Sequence, residues 1–189
     1  VGQAFSFDGN NDFVQVPSAV NIQFTSATSS TLENWVLVRS LPVSTFIPVT
    51  AAKAFAYGLL YHTGTKTFQA HVHNGSNWLF RNFAFDLQPN QFYHVAQVWN
   101  GSQLSVYVNG VLLGAGAATT GLMETGTAPL HLGKWDLNPV RNEVFQLNGI
   151  IDEAAVYNRA LTAAEIQSIA NADSAGKGND LGNRSHGVQ

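Results

Sequence analysis

The sequence has no cysteine and few charged residues, and these two shortages limit the kinds of protein it can be. Without cysteine, neither a disulfide framework nor a thiolate metal site is possible. Charged residues make up only 11% of the 189 residues, where about a quarter is usual, and the net charge is −3. Because phosphate binding requires a basic surface, nucleic acid is not expected as a partner.

Long apolar segments are also missing. No run of about 18 apolar residues occurs, so the sequence predicts neither a membrane-spanning helix nor membrane insertion. Asn, Gln, Ser and Thr take the place of the missing charges, a composition that suits extracellular β-proteins. The Gly-, Asn- and Ser-rich stretch near the end predicts a flexible tail or linker over 173–189. We therefore expect the chain to be part of a larger multidomain protein.

Short strand-like segments separated by turns are abundant. The clearest are 91–99, 103–108 and 111–113, because Asn-Gly pairs between alternating apolar residues are the strongest short hairpin signal. Segment 31–39 has apolar residues on both faces, which predicts a central strand. Further strands are predicted at 4–7, 13–16, 46–51, 56–61, 67–73, 78–84 and 129–133, with loops at 17–30, 114–128 and 134–144.

Residues 146–169 predict a last strand, a turn and one short helix. Thr162 precedes Glu165 by three residues, which is the capping-box spacing at a helix start. Leu161 and Ile166 are placed to close over that start as a hydrophobic staple. Many short strands, regularly spaced turns and a single helix together predict an all-β sandwich or barrel.

In this order, the segments resemble the laminin-G-like jelly-roll domains of the concanavalin A-like lectin/glucanase superfamily. The matching pieces are residues 7–14, 31–36, 93–96, 106–110, 132–133, 148–153 and 157–162. The resemblance implies an all-β, two-sheet antiparallel β-sandwich with one short C-terminal helix, spanning residues 1–172. Segments 46–55 and 137–145 depart from the family pattern. Because loops determine binding in this fold, binding specificity does not follow from the resemblance.

The resemblance also points to a structural Ca²⁺. The first strand and the last long strand are neighbours in this fold, so Asp8 and Asp12 are expected to approach Asp152. Carboxylate oxygens gathered in this way suit Ca²⁺, which takes six to eight oxygen ligands. The alternative is that Asp8 caps its own turn, while Asp152 pairs with Arg159 or another partner. The sequence leaves both possibilities open.

Catalytic motifs of the group are missing from this sequence. Its glucanases carry Glu-x-Asp-x-x-Glu on one strand, and neither that triplet nor Gly-x-Ser-x-Gly occurs here. We therefore expect that the chain is not an enzyme. The alternative is a polysaccharide-active enzyme, glycoside hydrolase or lyase, with an atypical site in which Arg81 joins His71 and His73.

Sugars stack on aromatic rings while Asn, Asp and Arg side chains bond their hydroxyl groups. We predict a ligand-binding face lined by His71, His73, Trp78, Arg81, Asn82, Trp135, Asp136 and Arg141. The histidines of this face are expected on an exposed sheet surface, and core packing is the competing interpretation for the two tryptophans.

The sequence therefore predicts a non-catalytic, lectin-like recognition module that is extracellular or at the cell surface and binds a glycan or an extracellular protein. The other alternative is a structural or adhesion spacer domain, which the sequence does not separate from the recognition module.

Overall fold

Alternating apolar residues along short strands produce two antiparallel sheets that pack face to face. The structure, a computed structural model, describes residues 4–24, 29–54, 56–73, 78–117, 127–138 and 143–177. The elements in chain order are β1 (Phe5–Asp8), β2 (Val14–Val16), a 3₁₀ turn (Val20–Ile22), β3 (Ser30–Val38), β4 (Phe46–Pro48), β5 (Ala52–Lys53), β6 (Tyr57–His62), β7 (Thr67–His73), β8 (Trp78–Ala84), β9 (Phe92–Trp99), β10 (Gln103–Val108), β11 (Val111–Ala117), β12 (Leu130–Leu132), β13 (Lys134–Asn138), β14 (Glu143–Gln146), β15 (Asn148–Tyr157) and α1 (Ala163–Lys177).

The first sheet has six strands in the order β1-β15-β3-β9-β10-β11. The second has seven, in the order β2-β12-β5-β6-β7-β8 with β4 also pairing with β6, while β13 and β14 form a separate hairpin. The predicted all-β, two-sheet antiparallel sandwich is therefore confirmed. β3 lies between β15 and β9, as predicted for a central strand.

The main core lies between the two sheets, because alternate residues of each strand point inward. Leu32 and Val95 come from the six-stranded sheet, and Leu59 and Phe68 come from the seven-stranded sheet. All four side chains are almost completely buried. Burying a side chain of this size contributes about 1.5–3 kcal/mol, so this layer is the main source of stability.

Helix α1 covers the outer face of the six-stranded sheet. Its first turn brings Leu161 and Ile166 onto Ala96 and Val98 of β9, and all four side chains are buried in one cluster. The predicted staple is thus confirmed. The six-stranded sheet is consequently buried on both faces in this region, which explains why β3 and β9 are apolar on both sides.

The predicted capping box at the start of α1 is also confirmed. The Glu165 backbone N–H donates to Thr162 Oγ1 at 3.2 Å, and the Thr162 N–H donates to Glu165 Oε2 at 2.8 Å. Arg159 Nη2 lies 2.7 Å from Glu165 Oε1, so Arg159 pairs with this carboxylate rather than with Asp152. The Arg159 guanidinium, together with the Thr162 N–H and hydroxyl, lowers the pKa of Glu165 from 4.5 to about 2.

We expect this lowered pKa to make folding stability depend on pH. A carboxylate with a lowered folded-state pKa stabilises fully above its unfolded value, and the stabilisation is lost as the pH falls through the folded value. The Glu165 contribution should therefore disappear between pH 4.5 and about 2. The measurement is the free energy of unfolding in urea across this pH range. In Glu165→Gln, this free energy should fall less steeply as the pH is lowered. If the free energy of unfolding depended on pH equally in Glu165→Gln and the unmodified chain, the capping box would not be the cause of this pH dependence.

Residues 134–144 were predicted as a loop, and that prediction is wrong. β13 and β14 pair as a hairpin in which Trp135 lies opposite Phe145, with a register irregularity between Asp136 and Asn138. Among the strands that the structure describes, the two pair only with each other. The sequence did not predict these strands because they are short and because the register irregularity interrupts the alternation of apolar and polar residues.

Two element ends also differ from the prediction. β11 runs to Ala117, although the stretch from Gly114 was predicted as a loop. Helix α1 continues to Lys177, past residue 169 where the segment predicted to contain it ends, because a helix propagates readily through alanine-rich sequence once its first turn has formed. The rest of the predicted tail, 178–189, lies outside the described residues. Within the described ranges, no helix combines the length and apolar character needed to cross a membrane.

Candidate functional site

Part of the predicted ligand-binding face is assembled on the outer surface of the seven-stranded sheet. Asn82 lies opposite Gln69, and Phe80 lies opposite His71, so all four side chains share one face. Asn82 is exposed, and Phe80 is 46% exposed. The sequence prediction missed Phe80, although its two-residue spacing from Asn82 was a usable signal.

The histidines on this face are buried, contrary to expectation. His71 and His73 are only 5% and 7% exposed. The Phe80 ring stacks on His71 with 5.6 Å between centroids, and the Trp135 ring meets His71 edge-on at 5.1 Å. Burial lowers the pKa of His71 to about 3, so its imidazole is neutral at physiological pH. A neutral, covered imidazole is a packing group rather than an accessible ligand contact.

Trp135 is fully buried, and it forms a small cluster with Ala52 and Leu60 on the outer face of the seven-stranded sheet. The hairpin thus folds across this sheet and uses Trp135 as its anchor. Trp135 therefore packs against the sheet and does not line an open face. The close fit requires Gly58, since a Cβ there would lie 3.2 Å from the Trp135 ring.

The remaining predicted ligand-binding residues are dispersed. Arg81 points to the opposite face of β8 from Phe80, and its guanidinium donates to the Ala117 carbonyl of β11. The atypical catalytic grouping of Arg81 with His71 and His73 is therefore not formed. Asp136 forms an ion pair with Lys134 at 3.1 Å. The side chain of Trp78 and all of Arg141 lie outside the described residues.

The three aspartates predicted to bind Ca²⁺ do not come together. β1 and β15 are neighbours as expected, but Asp8 pairs with Asn148, four strand positions from Asp152. At about 3.4 Å per residue, this is a separation of about 14 Å. Among the described residues, no group of three His, Asp or Glu side chains is placed to hold a metal ion. The trio therefore does not fit a calcium site.

Two of these aspartates instead build the turn after β1. Asp8 Oδ1 accepts the backbone N–H of Asn10 at 2.8 Å, and Asp12 Oδ2 accepts the N–H of Asp8 at 3.1 Å. The Asn10 hydrogen bond is the largest cause that lowers the pKa of Asp8, so this carboxylate is ionised at physiological pH. Gly9 has φ +82°, and a Cβ there would lie 2.8 Å from Asn148 Cβ. Glycine therefore lets this turn lie directly against β15.

This turn forms one wall of a cleft that the sequence did not reveal. The cleft has a volume of about 400 Å³ and lies between the β1–β2 turn, the β3–β4 loop, β4, β14 and the start of β15. Its lining residues are Asp8, Gly9, Ser40, Pro42, Thr45, Phe46, Ile47, Val144, Phe145, Gln146 and Asn148. We name it the end cleft.

The end cleft combines an aromatic wall with several polar groups. The Phe46 and Phe145 rings meet edge to face at 5.2 Å between centroids. Asn148 Nδ2 donates to Ser40 Oγ at 3.3 Å, which holds the two sides together. The Gln146 side chain forms no hydrogen bond with the described part of the chain. Apolar area beside amides, a hydroxyl and a carboxylate is suited to small polar ligands such as sugars.

The sequence profile of one family, described as the concanavalin A-like lectin/glucanases superfamily (Laminin_G_3), matches residues 8–167. The chain belongs to this superfamily. No curated protein sequence matches this concanavalin A-like chain.

Solved structures share its sandwich at low sequence identity. The binding domain of Paraclostridial mosquitocidal protein 1 is 14% identical with a TM-score of 0.67, over 89% of this chain and 42% of that one. A structure of botulinum neurotoxin type C, whose cell entry depends on two ganglioside molecules, is 13% identical with a TM-score of 0.64, over 85% and 39%. Trypanosoma rangeli sialidase is 18% identical with a TM-score of 0.63, over 92% and 28%. The concanavalin A-like chain spans less than half the length of each of these proteins. At such low sequence identity, the likeness establishes the shared fold alone.

Proposed function

We propose that this chain is a non-catalytic recognition module of a secreted or cell-surface protein, and that it binds carbohydrate in the end cleft. The observation that carries the proposal is the lining of that cleft, in which two phenylalanine rings lie beside Asp8, Ser40, Gln146 and Asn148. Sugar rings present apolar C–H faces and a rim of hydroxyl groups, and this lining offers a partner for each.

The size and location of the end cleft also support the proposal. Its volume of about 400 Å³ falls in the range of about 300–1,000 Å³ that is usual for small-molecule sites. The cleft is built from loops and strand ends on a rigid sandwich, which is where binding residues commonly lie. A ganglioside carries a glycan, so the dependence of botulinum neurotoxin type C on gangliosides is a precedent for carbohydrate recognition by a protein that shares this fold.

We expect that truncating the cleft amides weakens glycan binding. Gln146→Ala and Asn148→Ala each remove one hydrogen-bonding group and keep the β-carbon, so each should raise the Kd about three- to tenfold. The measurement is isothermal titration calorimetry against soluble oligosaccharides that bind the unmodified chain. Gln88→Ala is the matched control, because Gln88 is exposed, lies outside the cleft and should leave the Kd unchanged.

The sheet face predicted from sequence is the competing location. If Asn82→Ala weakened binding while Gln146→Ala did not, the ligand would lie beside Phe80 and the end cleft would be excluded. If no oligosaccharide bound at millimolar concentration, carbohydrate recognition would be contradicted and the spacer interpretation favoured. Melting temperatures of all variants should match that of the unmodified chain, which separates loss of binding from loss of folding.

A further inference from the structure

The end cleft contains a single charge among its described lining residues, the carboxylate of Asp8. Its turn fixes the orientation of this carboxylate, because Oδ1 accepts the N–H groups of Asn10 at 2.8 Å and Asn11 at 3.4 Å. The backbone N–H groups of Asn10, Asn11, Asp12 and Asp8 itself surround the carboxylate, and no cationic side chain among the described residues pairs with it. An exposed, ionised carboxylate without a cationic partner among the described residues therefore lines the end cleft.

The basic side chains Arg39 and Lys134, which the structure describes near the cleft, do not neutralise this carboxylate. Arg39 immediately precedes Ser40 of the cleft, but Nη1 donates to the carbonyls of Phe7 at 2.9 Å and Gly149 at 3.0 Å. Its Nη2 donates to Ser6 Oγ at 2.8 Å. Three N–H donors of the guanidinium thus join β1 to β15, and none of these bonds reaches Asp8.

Lys134, on the strand that pairs with β14, is also directed elsewhere. Its ammonium group lies 3.1 Å from Asp136 Oδ1 and 4.7 Å from the centre of the Phe13 ring. Neither basic residue lines the end cleft. The described surface around a bound ligand therefore carries a net negative charge.

We propose that the end cleft selects sugars by charge, and that it favours amino sugars with a free ammonium group over neutral sugars and binds acidic ones most weakly. This inference rests on the proposed function. An ammonium group can donate to the Asp8 carboxylate in a charge-assisted hydrogen bond, whereas a carboxylate at the same position is repelled. Because Asp8 is exposed, the preference for an amino sugar over its neutral analogue should be modest, about three- to fivefold in Kd.

The test compares three oligosaccharides of equal length and linkage, namely β-1,4-linked oligomers of glucosamine, N-acetylglucosamine and glucuronic acid. Calorimetry is performed on the full chain at about pH 5.5, where the amine is protonated and Asp8 is ionised. The glucosamine oligomer should bind best and the glucuronic acid oligomer worst. Raising the salt to about 1 M, where the Debye length is about 3 Å, should compress these differences.

Asp8→Asn is the decisive variant, because its amide oxygen keeps the acceptor for the Asn10 N–H while the charge is removed. In this variant, the Kd values of the glucosamine and N-acetylglucosamine oligomers should lie within about twofold of each other. Asp86→Asn is the charge-matched control, since Asp86 is an exposed carboxylate paired with Lys66 at 2.8 Å and lies outside the cleft. It should retain the full preference.

Two results would overturn the inference and are distinguishable. Tight binding of the glucuronic acid oligomer that is weakened by Gln146→Ala would contradict charge selection but support the cleft as a carbohydrate site. Failure of all three oligomers to bind would contradict the proposed function and charge selection together.

Discussion

Gly149→Ala should lower the free energy of unfolding by about 3 kcal/mol, one of the two largest losses we expect from a single substitution. Gly149 lies in β15 between Phe7 of β1 and Val38 of β3. A Cβ at this position would collide with the carbonyl oxygen of Leu37, and it would lie 2.8 Å from Leu147 Cδ1. Because a backbone carbonyl in a sheet cannot rotate aside, the two strands must separate, and overpacking of this kind costs about 1–3 kcal/mol or more.

Urea unfolding followed by tryptophan fluorescence measures this loss. Gly64→Ala is the matched control, because no atom would lie closer than 3.1 Å to a Cβ at Gly64, where His62 Cε1 and Ser44 Oγ lie at 3.1 Å and Ser44 Cα at 3.2 Å. It should change the free energy of unfolding by less than about 1 kcal/mol. Equal losses in the two variants would show that the contact with Leu37 is not the cause.

Glu33→Ala should also destabilise the chain by about 3 kcal/mol. Glu33 and His94 face α1 from the outer side of the six-stranded sheet, with exposures of 4% and 0%. Glu33 Oε2 lies 3.0 Å from His94 Nε2, and Tyr157 donates its hydroxyl to Glu33 Oε1 at 3.3 Å. Removing the carboxylate leaves a buried imidazole nitrogen without this partner, and breaking a buried pair costs about 3–5 kcal/mol.

A double-mutant cycle tests this prediction. The cycle compares Glu33→Leu, His94→Leu and the double variant, which removes both polar groups. The double variant should lose at least about 1 kcal/mol less free energy of unfolding than the sum of the losses in the two single variants. Additive losses would contradict the proposed coupling. The Lys66–Asp86 pair is the exposed comparison, with both side chains 62% exposed, and Lys66→Ala should change stability little.

The strands that pack in the core were predictable because their side chains alternate. The predicted ranges 67–73, 78–84 and 103–108 coincide with β7, β8 and β10. The last part of β11 was not predictable, because its small residues resemble a loop in sequence. A Cβ on Gly114 would collide with the Phe83 ring, and a Cβ on Gly116 would lie 2.8 Å from Arg81 Cδ. Side chains of β8 therefore occupy the space that larger residues of β11 would need.

The candidate site was less predictable because it depends on contacts between distant parts of the chain. His71 is buried by Trp135, which lies 64 positions further along the chain, and no local pattern indicates that contact. The end cleft gathers residues from the turn after β1, the loop after β3 and the strand β14. Each segment has an ordinary turn or strand pattern by itself, so only the folded arrangement reveals the cleft.

The pairing of β1 with β15 has a consequence for the order of folding. Residues 5–8 must wait for residues 148–151 before they can pair, and β3 gains its second neighbour from the same late strand. During synthesis on a ribosome, β3 therefore presents an open edge until almost the whole sandwich has emerged. Such distant pairings slow folding, and an open apolar edge favours aggregation. A nascent chain of this protein should therefore depend on chaperone protection until β15 has been made.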